Sequence, residues 1–187
     1  MPCIYLNSYI YKPPVPPLSE VLLTNDTTNG QSNMVSTQEI NFRDSGGLGG
    51  PYSSNENYVY TFNNTSGNGF EIDVGNFSFE EFTSSQYDRL GITESNDNIT
   101  FNNVTVSWLQ TSSTSTCPWS SSFGGSSWNS TSSYNGYIFP SNNSRATSIP
   151  LNWDGSNIVI NKPYIKFCFF SDGSTQLPGW DLKIIAS

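Results

Sequence analysis

Residues 70–77 read Phe-Glu-Ile-Asp-Val-Gly-Asn-Phe and follow a Gly-Asn-Gly turn. Phe70, Ile72 and Val74 alternate with Glu71, Asp73 and Gly75. A period of two, bounded by turn formers, is the pattern of a strand with one buried face. Further strand-like runs are ENYVYTF (56–62), YDRLGI (87–92), NITFNNVTVSWLQ (98–110), GSNIVI (155–160), YIKFCFF (164–170) and GWDLKII (179–185). No run has a helical period, and Ala, Leu and Lys are few. Aromatics make up 14% of the 187 residues, and Asn, Ser and Gly supply the turns. At least seven short strands in one chain of this size predict an all-β fold, a two-sheet antiparallel, jelly-roll-like β-sandwich.

The same residues exclude several functions. There is no His, so Ser-His-Asp and Cys-His catalysis cannot be assembled from this chain. The net charge is −8 and the seven Lys and Arg are scattered, which argues against a nucleic-acid partner. No apolar run approaches the length of a membrane-spanning helix. The first residues lack a basic segment followed by an apolar stretch and a small-residue cleavage site, so no signal peptide is read there. The odd set Cys3, Cys117 and Cys168 is no disulfide framework. Cys168, in mid-strand, is expected to be a small buried hydrophobe, the alternative being a Cys117–Cys168 bridge.

Two segments fall outside the strand pattern. Residues 1–35 carry YKPPVPPLSE, whose prolines favour extended chain, flanked by apolar and aromatic residues. They are expected to form an N-terminal assembly arm that packs on a neighbouring subunit or virion protein, with Tyr5, Tyr9, Tyr11, Pro13 and Pro14 as contacts, the alternative being a disordered leader. Residues 36–187 form the sandwich, interrupted at about 110–146 by a Ser/Gly-rich insert. The insert is read as a long loop lying flat on the sandwich; the alternatives are a recognition surface, with Trp119, Trp128, Tyr134 and Tyr137 as candidates for partner or glycan contact, and disorder. Asn-x-Ser/Thr triplets, at Asn76, Asn98 and Asn129 among others, arise by chance in so Asn- and Ser-rich a chain and carry little weight.

Against the low charge density, three carboxylates stand at strand ends. Glu80 and Asp88 are eight positions apart across one turn, and Asp172 ends a later strand. Carboxylates converging on one loop end repel each other unless a cation lies among them, and Ca²⁺ accepts carboxylate and carbonyl oxygens in loose geometry. The alternative is three solvated turn residues.

Four motifs in order resemble the CUB domain family. They are NENYVYTF (55–62), FEIDVGNFSFE (70–80), YDRLGI (87–92) and SDGSTQLPGW (171–180), the last with Trp180 where the family has Phe. They span about 38–185 apart from the insert. The resemblance implies a CUB-like sandwich in which Glu80, Asp88 and Asp172 share one Ca²⁺, completed by oxygens near Gly173 and Thr175. The family's two disulfides are missing: Ser45, Tyr58 and Ser85 stand at the matching places. That absence suggests synthesis in a reducing compartment.

The expectation drawn from all this is a non-enzymatic, oligomeric virion component of a phage or virus. It would be a capsid decoration, tail, fibre or baseplate protein, stabilised by Ca²⁺ and binding virion proteins or a host-surface protein or glycan. The alternative is a secreted eukaryotic CUB-type adhesion module in the extracellular space. A glycosidase built on Glu80 with Glu81, Asp73 or Asp88 is disfavoured for want of a cleft signature, and a ligand-free structural spacer is a weaker rival.

Overall fold

A computed structural model describes residues 19–79, 81–82, 85–86, 88–104, 110–112, 136–138 and 155–187. Among these residues the regular structure is all β, in strands numbered here along the chain. The first sheet holds β1 (Ser19–Leu22), β3 (Glu39–Arg43), β14 (Gly179–Ala186), β5 (Phe70–Ser78) and β12 (Ile158–Ile160), side by side in that order. The second holds β10 (Gln110–Ser112), β11 (Gly136–Ile138), β8 (Arg89–Ser95), β13 (Tyr164–Phe170), β4 (Asn57–Asn64) and β2 (Gly30–Met34). The short β9 (Asn102–Asn103) pairs with β8, and β6 (Glu81–Phe82) with β7 (Ser85–Gln86).

The alternation in the sequence becomes the two faces of each sheet. On β5, Phe70, Ile72 and Val74 are buried while Glu71 and Gly75 are exposed. On β14, Trp180, Leu182, Ile184 and Ala186 point into the same core. The second sheet answers with Tyr60, Phe62, Leu90, Ile92, Ile165, Phe167 and Phe169. Phe42 joins the layers. Its ring lies 5.6 Å from Trp180 in its own sheet, and 5.3 Å from Phe62 and 4.8 Å from Phe167 across the sandwich. Such tilted and edge-on pairs add attraction beyond burial alone. Between Trp180 and Leu182 the register of β14 on β5 shifts, and Gly75 sits opposite the shift. A Cβ there would come 2.7 Å from the Asp181 carbonyl oxygen, so only glycine lets the strands close at this point.

The structure corrects four expectations. Residues 19–35, expected within the arm, supply β1 and β2, an outer strand to each sheet. Residues 1–18, with Tyr5, Tyr9, Tyr11, Pro13 and Pro14, lie outside the described residues. Both outer pairings, β1 with β3 and β2 with β4, are parallel, so the sheets are mixed rather than wholly antiparallel. The insert's ends are strands too: β10 pairs with β11, and β11 lies beside β8. Within 98–104, part of an expected strand, only Asn102–Asn103 pairs. There Asp97 Oδ1 accepts the backbone N–H of Ile99 and Thr100, and Asn98 has φ 60°. A side chain that captures backbone donors competes with the ladder.

On the second sheet's outer face Val59, Gly91 and Cys168 lie in one row, and Cys168 is fully buried there. It is disulfide-bonded rather than a free thiol. The other two cysteines, Cys3 and Cys117, lie outside the described residues.

Because Phe42 touches aromatic rings of both sheets, Phe42→Ala should lower unfolding free energy by about 3–5 kcal/mol. Urea unfolding measures it. A loss below about 1 kcal/mol would mean that the core repacks without this ring.

Candidate metal and binding site

Asp88 lies immediately before β8 and is fully buried. Its Oδ1 accepts the backbone N–H of Asp172 at 2.8 Å, and its Oδ2 accepts the hydroxyl of Tyr52. Tyr52 is held by its ring, edge-on to Phe169 at 5.3 Å and beside Phe79 at 5.9 Å. The apolar run of β13 thus ends where the polar site begins.

The segment leading into β4 is stitched to the segment leaving β13. Asn55 N–H donates to the Asp172 carbonyl at 2.7 Å, and Ser171 N–H to the Glu56 carbonyl at 2.9 Å. Ser171 Oγ donates to the Ser53 carbonyl at 2.8 Å and accepts Glu56 N–H at 2.9 Å. Asp172 Oδ1 accepts both the N–H and the hydroxyl of Ser174, at 2.7 and 3.0 Å, closing the next turn. Gly173 and Thr175 are exposed on that turn, with Thr175 at φ 34°.

Of the three motif residues, Asp88 and Asp172 are joined, through the Asp88 carboxylate and the Asp172 backbone N–H. The third, Glu80, lies outside the described residues, and among those described no three His, Cys, Asp or Glu are grouped to hold a metal. What the structure places at this end are side chains with oxygen donors. These are the Asp88 carboxylate, whose two oxygens accept the Asp172 N–H and the Tyr52 hydroxyl, and Asp172, whose Oδ1 accepts Ser174 while Oδ2 has no hydrogen bond among the described residues. That chemistry fits Ca²⁺ rather than a soft metal. Trp119, Trp128 and Tyr134 of the insert lie outside the described residues, and Tyr137 falls on β11, in register with Ile92 and Thr111. Asp73 lies on the outward face of the first sheet opposite Lys183, away from buried Asp88, so these two form no acid–base pair.

Sequence reasoning missed two buried carboxylates at this end. Asp44, which follows β3, accepts Gly46 N–H at 2.8 Å and Trp180 N–H at 2.9 Å. Gly179, at φ +66°, is indispensable beside it, since a Cβ would lie 2.0 Å from Asp44 Oδ2. Glu56 is only 3% exposed, and its Oε2 has no hydrogen-bond partner among the described residues. Burial pushes Glu56 up to about 7, helped by Asp44 and Asp88 and opposed by the bonds from Ser45 and Ser53. Burial likewise raises Asp44 to about 6, against its backbone hydrogen bonds. The Asp-Ser-Gly-Gly turn signal was readable in the sequence, but the reach of Asp44 to Trp180 was not.

The chain is similar to the full extracellular region of zebrafish Gpr126/Adgrg6, at 14% identity and TM-score 0.47, over 84% of this chain and 15% of that one. It is similar to the CUB1-EGF-CUB2 domains of rat MASP-1, at 10% identity and TM-score 0.49, over 84% of this chain and 42% of that one. It is also similar to the MASP-1 CUB2 domain bound to Ca²⁺, at 16% identity and TM-score 0.43, over 81% of this chain and 96% of that one. The chain thus spans less than half the length of the first two. No family model matches the sequence. No curated protein matches it either. Among the described residues the fold is a two-sheet β-sandwich with mixed strand pairing, and the motif segments 55–62, 70–79, 88–92 and 171–180 fall on its strands and the turns beside them.

A carboxyl whose pKa is raised by folding stabilises the folded state below its ordinary pKa and loses that contribution as pH rises through the folded value. For Glu56 the window runs from 4.5 to about 7, and for Asp44 from 3.8 to about 6. In EDTA, stability should fall as pH rises through this range, and Glu56→Gln should flatten the part nearest pH 7. Thermal melts at stepped pH decide it; an unchanged slope in the variant would count against Glu56 as the group responsible.

Proposed function

We propose that this chain is a non-enzymatic binding module whose loop end is ordered by Ca²⁺. The observation that carries the reading is the fully buried Asp88, whose carboxylate gathers Tyr52 and Asp172 at one end of the sandwich. Asp88 and Asp172 would hold the ion, with Glu80 as third carboxylate and oxygens of the 173–175 turn completing the shell. The ion would neutralise charge that the fold concentrates there, and would fix the turn as a contact surface for a partner.

We place the module outside the cell rather than in a virion. The virion expectation rested on the two missing family bridges, the unread signal peptide and the proline-rich arm; a disulfide at Cys168 weighs against folding in a reducing compartment and so favours the extracellular alternative.

An ion bound only by the native state stabilises it by RT ln(1 + [L]/Kd), about 2.7 kcal/mol at a hundredfold excess over Kd. Melting should therefore move upward from EDTA to millimolar Ca²⁺, and Asp88→Asn should abolish the difference whatever its own melting temperature. A calcium shift preserved in Asp88→Asn, or absent from the parent protein, would overturn the site.

A further inference from the structure

At the end of the second sheet near Ser95, the outward face carries an uncharged strip. Asn33 on β2, Asn63 on β4, Tyr164 on β13 and Ser95 on β8 lie in one cross-strand row. The neighbouring Ile165 is fully buried, so Tyr164 faces outward, half-exposed. Its hydroxyl makes no hydrogen bond among the described residues.

The amides around it are tied to one another. Asn33 Oδ1 accepts Gln31 Nε2 at 2.8 Å and Asn63 Nδ2 at 2.9 Å. Gln31 Oε1 accepts Asn98 Nδ2 at 3.3 Å, which brings the 95–100 turn across to the β2 edge. Gln31, Asn33 and Asn98 are exposed. Each bond uses one hydrogen of an NH₂ group, so the second hydrogens and remaining lone pairs stay available in fixed positions.

The strip is neutral in a chain of net charge −8. Asp97, in the adjoining turn, already receives Ser95 Oγ and the N–H groups of Ile99 and Thr100 on Oδ1. Lys166, one row in, is covered by the Phe101 ring, with Nζ 3.5 Å from its centroid. A charged partner would find no counter-charge in the row. A wholly apolar partner would strand the amides without hydrogen bonds, which is unfavourable. A ligand that offers hydroxyls to fixed amides and a C–H face to a tyrosine ring matches both.

We infer that Tyr164 with the Gln31, Asn33, Asn63 and Asn98 amides forms a binding site for a neutral oligosaccharide, separate from the calcium end. It rests on the reading of the chain as a binding module, but not on the ion. The test is titration calorimetry of the full chain in EDTA with mannotriose, maltotriose, lactose and N-acetylchitotriose. At least one should bind, and the double variant Gln31→Ala/Asn33→Ala should weaken it about tenfold, the equivalent of about 1.4 kcal/mol. Tyr164→Ala should weaken it at least as much; if that variant fails to fold, the exposed Gln31 and Asn33 substitutions still decide. Binding of none of the four sugars, or binding indifferent to the amide variants, overturns the site. Binding seen only with Ca²⁺ present overturns it too, by moving recognition to the Asp88 end. Failure of the calcium shift alone would leave this result untouched.

Discussion

The carboxylate of Asp88 holds one end of this sandwich together. One oxygen takes a backbone N–H from beyond β13, the other a hydroxyl from the approach to β4, and the group itself heads β8. Three strands of the second sheet are thereby fixed at a common end. Charge-assisted hydrogen bonds of this kind are shorter and stronger than neutral ones. They also set a constraint, because an anion buried at the end of an apolar core must be neutralised or fully solvated by donors. The neighbouring Asp44 and Glu56 meet the same constraint differently: Asp44 by two backbone donors, Glu56 by drifting toward its neutral form.

This network stands where the CUB resemblance leads one to look for covalent bridges. Ser45, at a cysteine position of the family pattern, accepts the Ser53 N–H on its hydroxyl at 3.0 Å. Ser171 ties the Glu56 backbone to Ser53. Each such bond contributes about 0.5–1.5 kcal/mol net, against about 2–4 kcal/mol for a disulfide. Several in concert reach a similar total, but with a difference in kind, since their strength depends on protonation and on any bound cation. The one cysteine among the described residues, Cys168, is bridged from the sheet's outer face rather than from these positions.

Much of the fold was legible because it depends on period and turn chemistry. The alternation on β5 and β14 survives residue by residue, and Phe42, Phe62 and Phe167 are buried as their strands require. The outer strands were harder. β2 reads Gly-Gln-Ser-Asn-Met, a polar string with no buried face of its own except Met34, because it is an edge strand in parallel pairing with β4. β1 sits beside the proline-rich stretch and is short, and nothing local marks it as the partner of β3. The 98–104 segment misled for the opposite reason. It has strand residues, but Asp97 captures its backbone donors.

The sequence by itself determined the class of fold, the strands that make the core, and the nearness of Asp88 and Asp172 at the loop end. Those follow from local pattern, which each segment carries whatever its neighbours. Only the tertiary structure decided that Asp44 and Glu56 join that end, that Cys168 is bridged, and that Asn33, Asn63, Tyr164 and Ser95 share one row. These depend on register between strands far apart in the chain. Burial of a carboxylate, or the meeting of an amide with a phenol, is a property of the assembled sheets that no single segment contains.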